Sequence, residues 1–153
     1  MPAIGHVHLK VSDLERSIAF YELLGLSVQA RYGAEAAFLS WDGYHHHLGL
    51  NTWRSKGAAP APEGHPGLFH AAFLFEDRAR LAAAIRAVTG AGHALTGASD
   101  HGVSEAVYLD DPDGNGVELT RDRPRAEWPR HPDGSLHVFT APLDLPALLA
   151  EAA

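Results

Sequence analysis

Cysteine is absent from the sequence. That excludes disulfides, thiolate nucleophiles and thiolate-ligated metal sites. Long apolar runs are absent as well, so no stretch approaches membrane-spanning length. The opening residues, Met-Pro-Ala-Ile-Gly-His, lack a basic-then-apolar leader, and a cytoplasmic protein with no membrane contact is expected. Positive charge is in deficit: 12 Lys and Arg stand against 19 Asp and Glu, a formal net charge of −7. This balance argues against nucleic acid and anionic membrane surfaces as partners. What is present is 153 residues, enough for one domain with a sizeable core, and 11 histidines. Without thiolates, a metal site would use imidazole and carboxylate, a donor set that suits Fe, Mn, Ni, Co or Zn.

The pattern of the chain predicts an α+β fold built from a repeat. Ile4 to Val11 alternates as a strand, with Val7, Leu9 and Val11 on one face and His6, His8 and Lys10 on the other. Ser12-Asp13-Leu14-Glu15 starts a helix that Gly25 stops. Strands follow at 26–31, 36–41 and 44–51, the last containing His45-His46-His47. Residues 54–67, rich in Gly, Pro and Ala, read as a linker. The second half repeats the plan: a strand from Leu68 to Phe75, a helix from Asp77 to Val88, a short strand from His93 to Thr96, a loop over 97–102, and a hairpin. The expected organisation is a single domain of two tandem βαβββ modules, 3–53 and 68–123, joined by the linker and followed by an extension over 124–153.

The hairpin carries the chemistry. Asp111-Pro112-Asp113-Gly114-Asn115-Gly116 is turn sequence, flanked by Ala106–Leu109 and Gly116–Thr120. Val117 and Leu119 share the core face, so Glu118 points to the opposite side, and Tyr108 has the same parity in its own strand. His6 and His70 occupy equivalent places on the opening strands of the two modules. Two such modules side by side would form a cupped mixed sheet around a cavity. His6, His70 and Glu118 would then converge as two imidazoles and a carboxylate, a facial set for a divalent ion with open positions.

These residues resemble a known family, the vicinal oxygen chelate superfamily of glyoxalase I, fosfomycin-resistance proteins, bleomycin-binding proteins and extradiol ring-cleaving dioxygenases. The carriers are Ile4-Gly-His-Val-His-Leu-Lys-Val-Ser-Asp-Leu14, Gly67-Leu-Phe-His70 and Tyr108-Leu-Asp-Asp-Pro-Asp-Gly-Asn-Gly-Val-Glu118. The resemblance covers residues 3 to 123 and implies metal ligation by His6, His70 and Glu118. Glyoxalase I adds a glutamate from the last strand of its first module. Aligning the turn at Asp42-Gly43 with that at Asp113-Gly114 puts His47 at that place, so the glutamate is missing.

The segment His45-His46-His47-Leu48-Gly49-Leu50 instead looks like that of extradiol dioxygenases, which implies His46 as the acid–base group. Tyr108, ten residues before Glu118, matches a tyrosine of the same enzymes, and His101 matches an additional histidine. The implied protein is a dioxygenase holding Fe(II), with Mn, Ni, Co or Zn as alternatives, and acting on a catechol and O₂. A glyoxalase-type lyase or isomerase, an antibiotic-modifying thiol transferase and a non-catalytic drug-binding protein are the other branches. The larger dioxygenases have four modules, so a homodimer is expected of a chain with two.

One conflict stays open in the residues. Strict alternation back from Leu50 and Leu48 puts His46 on the core face and His45 and His47 on the other. A bulge would bring His46 to the cavity side. The tail Pro142-Leu-Asp-Leu-Pro-Ala-Leu-Leu-Ala-Glu-Ala152 is expected to end in a short amphipathic helix covering an edge.

Overall fold

The computed structural model describes residues 1–152. Its element order is β1 (Val7–Lys10), α1 (Leu14–Glu22), β2 (Ser27–Tyr32), β3 (Ala36–Ser40), β4 (Leu48–Asn51), then β5 (Ala71–Leu74), α2 (Arg78–Gly90), β6 (Leu95–Asp100), β7 (Ser104–Asp110) and β8 (Gly116–Asp122). The βαβββ unit therefore occurs twice. A 3₁₀ turn (Arg125–Glu127), β9 (Ala141–Pro142) and α3 (Leu145–Leu149) follow.

The chain divides into two compact units. The first is Met1–Gly67 with Asp111–Asn115; the second is Leu68–Asp110 with the residues from Gly116 on. Each holds one mixed sheet, ordered β1-β4-β3-β2 in the first and β5-β8-β7-β6-β9 in the second. In both, the opening strand runs parallel to the last strand of its βαβββ repeat, β4 in the first and β8 in the second, and the other pairs are antiparallel.

Local chemistry explains the boundaries. Asp13 caps α1 by accepting from Arg16 N–H at 3.0 Å, and Asp77 caps α2 by accepting from Arg80 N–H at 2.8 Å. Past α1 the chain turns through Gly25 at φ +90°, a conformation that costs glycine little. Leu14, Ile18 and Tyr21 of α1, and Leu81, Ile85 and Val88 of α2, are buried at the helical spacing the sequence carries. Val107, Leu109, Val117 and Leu119 are at most 1% exposed, as the alternation of the hairpin requires.

The turn 111–115 packs within the first unit. Tyr21 Oη donates to Asp111 Oδ2 at 2.8 Å, and Ser12 N–H donates to Asp113 Oδ2 at 3.1 Å. Burial, together with the Asp111 charge, raises the Tyr21 pKa well above the phenol range, so this proton stays in place. Tyr21→Phe leaves a buried carboxylate short of a donor. It should cost about 1–3 kcal/mol in a urea melt.

Several expected boundaries shift. The opening strand of the second unit is shorter than 68–75, because Leu68 and Phe69 are exposed and only Ala71–Leu74 pair with β8. The expected loop at 97–102 is mostly strand: β6 continues to Asp100 across a register shift between Leu95 and Gly97. The tail divides the task expected of its helix. β9 pairs with β6 at the sheet edge, while α3 packs on α2 with Leu148 buried.

Gly116 fixes the approach of β5 to β8. A Cβ there would lie 2.0 Å from the Phe69 carbonyl oxygen. Gly116→Ala is therefore expected to destabilise the protein by about 1–3 kcal/mol through forced backbone movement, measurable as a lowered unfolding midpoint.

Candidate active site

The second unit brings together four of the relevant side chains. Tyr108 and Glu118 are direct cross-strand partners on β7 and β8, and Ala72 of β5 pairs with Glu118 on its other side. His70, just before β5, places Nε2 2.8 Å from Glu118 Oε2. Its ring centroid is 5.7 Å from that of Tyr108. Both partners of the pair keep some solvent access, with side-chain exposures of 31% for His70 and 13% for Glu118.

The donor set fits a divalent ion. Two ligands at right angles with bonds of about 2.1 Å would sit about 3 Å apart, close to the His70–Glu118 separation. Imidazole with carboxylate is also the chemistry of Fe(II), Mn, Ni, Co and Zn sites. Among the described residues, no group of three His, Asp or Glu side chains able to hold a metal forms.

Tyr108 has a defined hydrogen-bond direction. His101 follows β6, and its Nδ1 lies 2.8 Å from the Phe139 carbonyl oxygen. A carbonyl only accepts, so Nδ1 carries the proton and Nε2 of the neutral ring is bare. Tyr108 Oη, 2.7 Å from Nε2, then donates to it. The remaining lone pairs of Tyr108 Oη are left to accept. Burial and the Glu118 charge raise the phenol pKa, so Tyr108 stays protonated. A cavity of about 350 Å³ lies beside this group, lined by Phe69, His70, Gly97, Tyr108 and Val117 among others.

The first unit holds the remaining candidates. His6 precedes β1, and its ring centroid is 4.3 Å from that of His46. His46 also stands 4.9 Å from Phe38. A local irregularity places it there. His47 N–H donates to the Leu39 carbonyl at 2.9 Å, although Leu39 is already opposite Leu48 in the β3–β4 ladder. Two residues thus face one, which is the arrangement of a β-bulge. Leu48 and Leu50 keep their core positions, and His46 moves to the face of Phe38 and Gly49. His47 is left half-buried against Trp41 and Tyr44, its Nδ1 without a partner. Burial and the neighbouring His6 and His45 lower the pKa of His46, which favours the neutral, proton-accepting ring.

The register corrects one alignment. Val7 pairs with Leu48 in the first unit, and Ala71 pairs with Val117 in the second. Since His6 precedes Val7 as His70 precedes Ala71, the counterpart of Glu118 is Gly49 and not His47. The loop 44–47 is two residues longer than its counterpart after Asp113-Gly114, and aligning the turns misses this.

His8 pairs with Gly49 and covers it: a Cβ on Gly49 would lie 2.8 Å from the imidazole. Asn51 Oδ1 accepts from Trp53 N–H at 3.2 Å, which turns its Nδ2 toward His8 Nε2 at 2.9 Å. Burial and His6 lower the His8 pKa, in keeping with a neutral ring that accepts. The parity of β1 placed His8 beside His6, but nothing local pointed to Asn51.

The repeated βαβββ unit agrees with comparison to known proteins. The sequence profile of the Glyoxalase/Bleomycin resistance protein/Dioxygenase superfamily matches residues 3–119, and the chain belongs to this superfamily. It is 40% identical over 151 residues to a protein of Bacillus subtilis (strain 168) named catechol-2,3-dioxygenase, covering 97% of this chain and 52% of that protein. It is 30% identical over 122 residues to biphenyl-2,3-diol 1,2-dioxygenase 2 of Rhodococcus globerulus, covering 79% of this chain and 63% of that one. The chain thus spans between half and two thirds of the length of these relatives. A crystal structure of a glyoxylase/bleomycin resistance protein/dioxygenase domain from Frankia sp. EAN1pec superposes with a TM-score of 0.66 at 25% identity, covering 80% of this chain and 99% of that chain. No helix among the described residues is long and apolar enough to cross a membrane.

Proposed function

We propose that the protein is a metal-dependent extradiol dioxygenase acting on a small catecholic compound and O₂. The observation that carries this reading is the cross-strand pair of Tyr108 and Glu118, with His70 on the carboxylate and His101 on the phenol. Similarity to two proteins named for the oxygenation of vicinal aromatic diols supports it. Gly49 at the counterpart of Glu118 leaves no fourth ligand of the glyoxalase I kind, which favours this branch over a lyase.

His6, His70 and Glu118 would hold the ion, Fe(II) first among the candidates. When bound, such an ion would supply the Lewis acidity that lowers the pKa of a diol hydroxyl. The protein's own groups do the rest. His46, neutral and lodged between Phe38 and His6, takes a proton from a substrate hydroxyl and later returns one. Tyr108 accepts a hydrogen bond from a substrate hydroxyl, its own proton being committed to His101. The exposed Phe69 ring in the cavity lining suits an aromatic substrate.

The test is oxygen uptake. Protein loaded anaerobically with Fe(II) and given a catechol, then O₂, should consume about one O₂ per catechol and form a yellow ring-opened product. Uptake absent across a catechol panel, with turnover of a glutathione hemithioacetal or of fosfomycin, would reject the dioxygenase in favour of a lyase or thiol transferase. Tyr108→Phe should reduce turnover less than loss of the proton carrier does, by about 10-fold, the worth of one hydrogen bond of about 1.4 kcal/mol.

The same reading makes the active species a homodimer, since two copies supply the four modules that one longer relative has room for. Light scattering at micromolar concentration should give twice the mass of the chain; a monomer alone would end this part of the proposal.

A further inference from the structure

The cations of this acidic chain are not used evenly. Among the described residues, Arg16, Arg31, Arg78, Arg80, Arg121 and Arg123 are paired with carboxylates. Arg86 and Arg130 donate to backbone carbonyls, and Arg125 lies over the Trp128 ring. Lys10, Arg54 and Lys56 have no such partner. All three belong to the first unit, and two of them, Lys10 and Arg54, line one cavity of about 410 Å³.

Several contacts build that cavity. Lys10 is the end of β1, on the same strand face as His6 and His8. The chain leaving β4 turns back over it: Ser55 Oγ donates to the Val11 carbonyl at 2.8 Å, and Gly57 N–H donates to the Ser12 carbonyl at 2.9 Å. This turn carries Arg54 to the cavity wall. His8 is another wall, held in place by Asn51. The only acid in the lining is Asp113, and its charge is already met by Arg16 at 2.8 Å and Ser12 N–H at 3.1 Å. Lys56 stands in a different cleft, with Asp13 and Glu15 in its lining, and takes no part. The cavity is therefore left with two uncompensated positive charges.

We infer that the Lys10–Arg54 cavity is an anion site, and that the substrate is a catechol bearing a carboxylate side chain. The substrate part of this inference rests on the dioxygenase reading; the anion site does not. A guanidinium offers a carboxylate two parallel N–H donors, and an ammonium adds a compact second charge. Both are unpaired beforehand, so a bound carboxylate displaces water and no protein partner. His8 and His46 both lie against Phe38, with ring centroids 6.0 and 4.9 Å from it, which joins the anion site to the proposed acid–base group inside one unit.

Two matched ligand pairs test this by calorimetry on the Fe(II)-loaded protein under anaerobic conditions. The first pair is 3,4-dihydroxyphenylacetate and its amide; the second is phenylacetate and phenylacetamide, which lack the diol. The acid of each pair should bind at least about tenfold more tightly than its amide, the effect of one well-placed charged hydrogen bond. In Lys10→Met, Arg54→Met protein that ratio should fall to about one, and Lys10→Arg should retain it. Equal binding of acid and amide by the natural protein, or an unchanged ratio in the double variant, would overturn the anion site. Oxygen uptake with neutral 4-methylcatechol reports separately on the dioxygenase reading. If uptake fails while phenylacetate selectivity holds, the site stands without the chemistry. If uptake succeeds without charge selectivity, the chemistry stands and the anion site is rejected.

Discussion

His46→Ala is expected to lower catechol turnover by about 10²–10⁴-fold, the usual worth of a positioned acid–base group. Metal content should stay near that of the natural protein, because the proposed ligands are untouched. The reasoning is geometric. Of the three consecutive histidines, His46 reaches Phe38 and His6, while the His47 ring lies against Trp41 and Tyr44. His45 lies over Tyr44 and places Nδ1 2.8 Å from Nδ1 of His46. His45→Ala and His47→Ala should each fall short of the His46 effect. Steady-state oxygen uptake with elemental analysis of the same samples measures both quantities. An active His46→Ala beside an inactive His45→Ala would move the role one residue back.

Glu118→Ala should abolish stable metal binding. Protein reconstituted anaerobically is expected to carry about one divalent ion per chain, as a single three-ligand site requires, and the variant to lose most of it. The fold should survive, because Glu118 lies on the opposite face of β8 from the buried Val117 and Leu119. Its loss removes an acceptor from His70 and no core contact. Circular dichroism would confirm the fold, and elemental analysis the loss. Metal content equal to that of the natural protein would remove Glu118 from the ligand set, and with it the central support for the proposed chemistry.

Much of this was legible where structure follows from local period. The alternation of Val117 and Leu119 around Glu118 fixed which way the carboxylate points, since one face of the strand had to be buried. The helices were readable from Asp13 and Asp77 as caps and from the spacing of their apolar residues. The repeat was readable because both halves carry the same order of strand, helix and strands.

What escaped was set by contacts distant in sequence. His101 takes its tautomer from Phe139, 38 residues away, and nothing around His101 announces that carbonyl. The length of β6 depends on its pairing with both β7 and the two residues of β9. The alignment of His47 with Glu118 failed because turns were matched in place of ladders, and the loop 44–47 has two extra residues. The bulge at His47 was considered only because the alternation of Leu48 and Leu50 conflicted with the chemistry. Its existence depends on which residues the Leu39 carbonyl meets.

The run of three histidines gives this bulge an unusual tolerance. A bulge is a place where one residue more or less can be absorbed, and gaining or losing one normally sends a different kind of side chain to the working face. Here the residues on both sides of His46 are imidazoles too. A frame shift of one position in the 44–47 segment, by insertion, deletion or thermal slippage of the strand end, would still offer a histidine to the space beside Phe38. The segment behaves as a redundant code, in which the reading frame can slip and the same chemical letter is read.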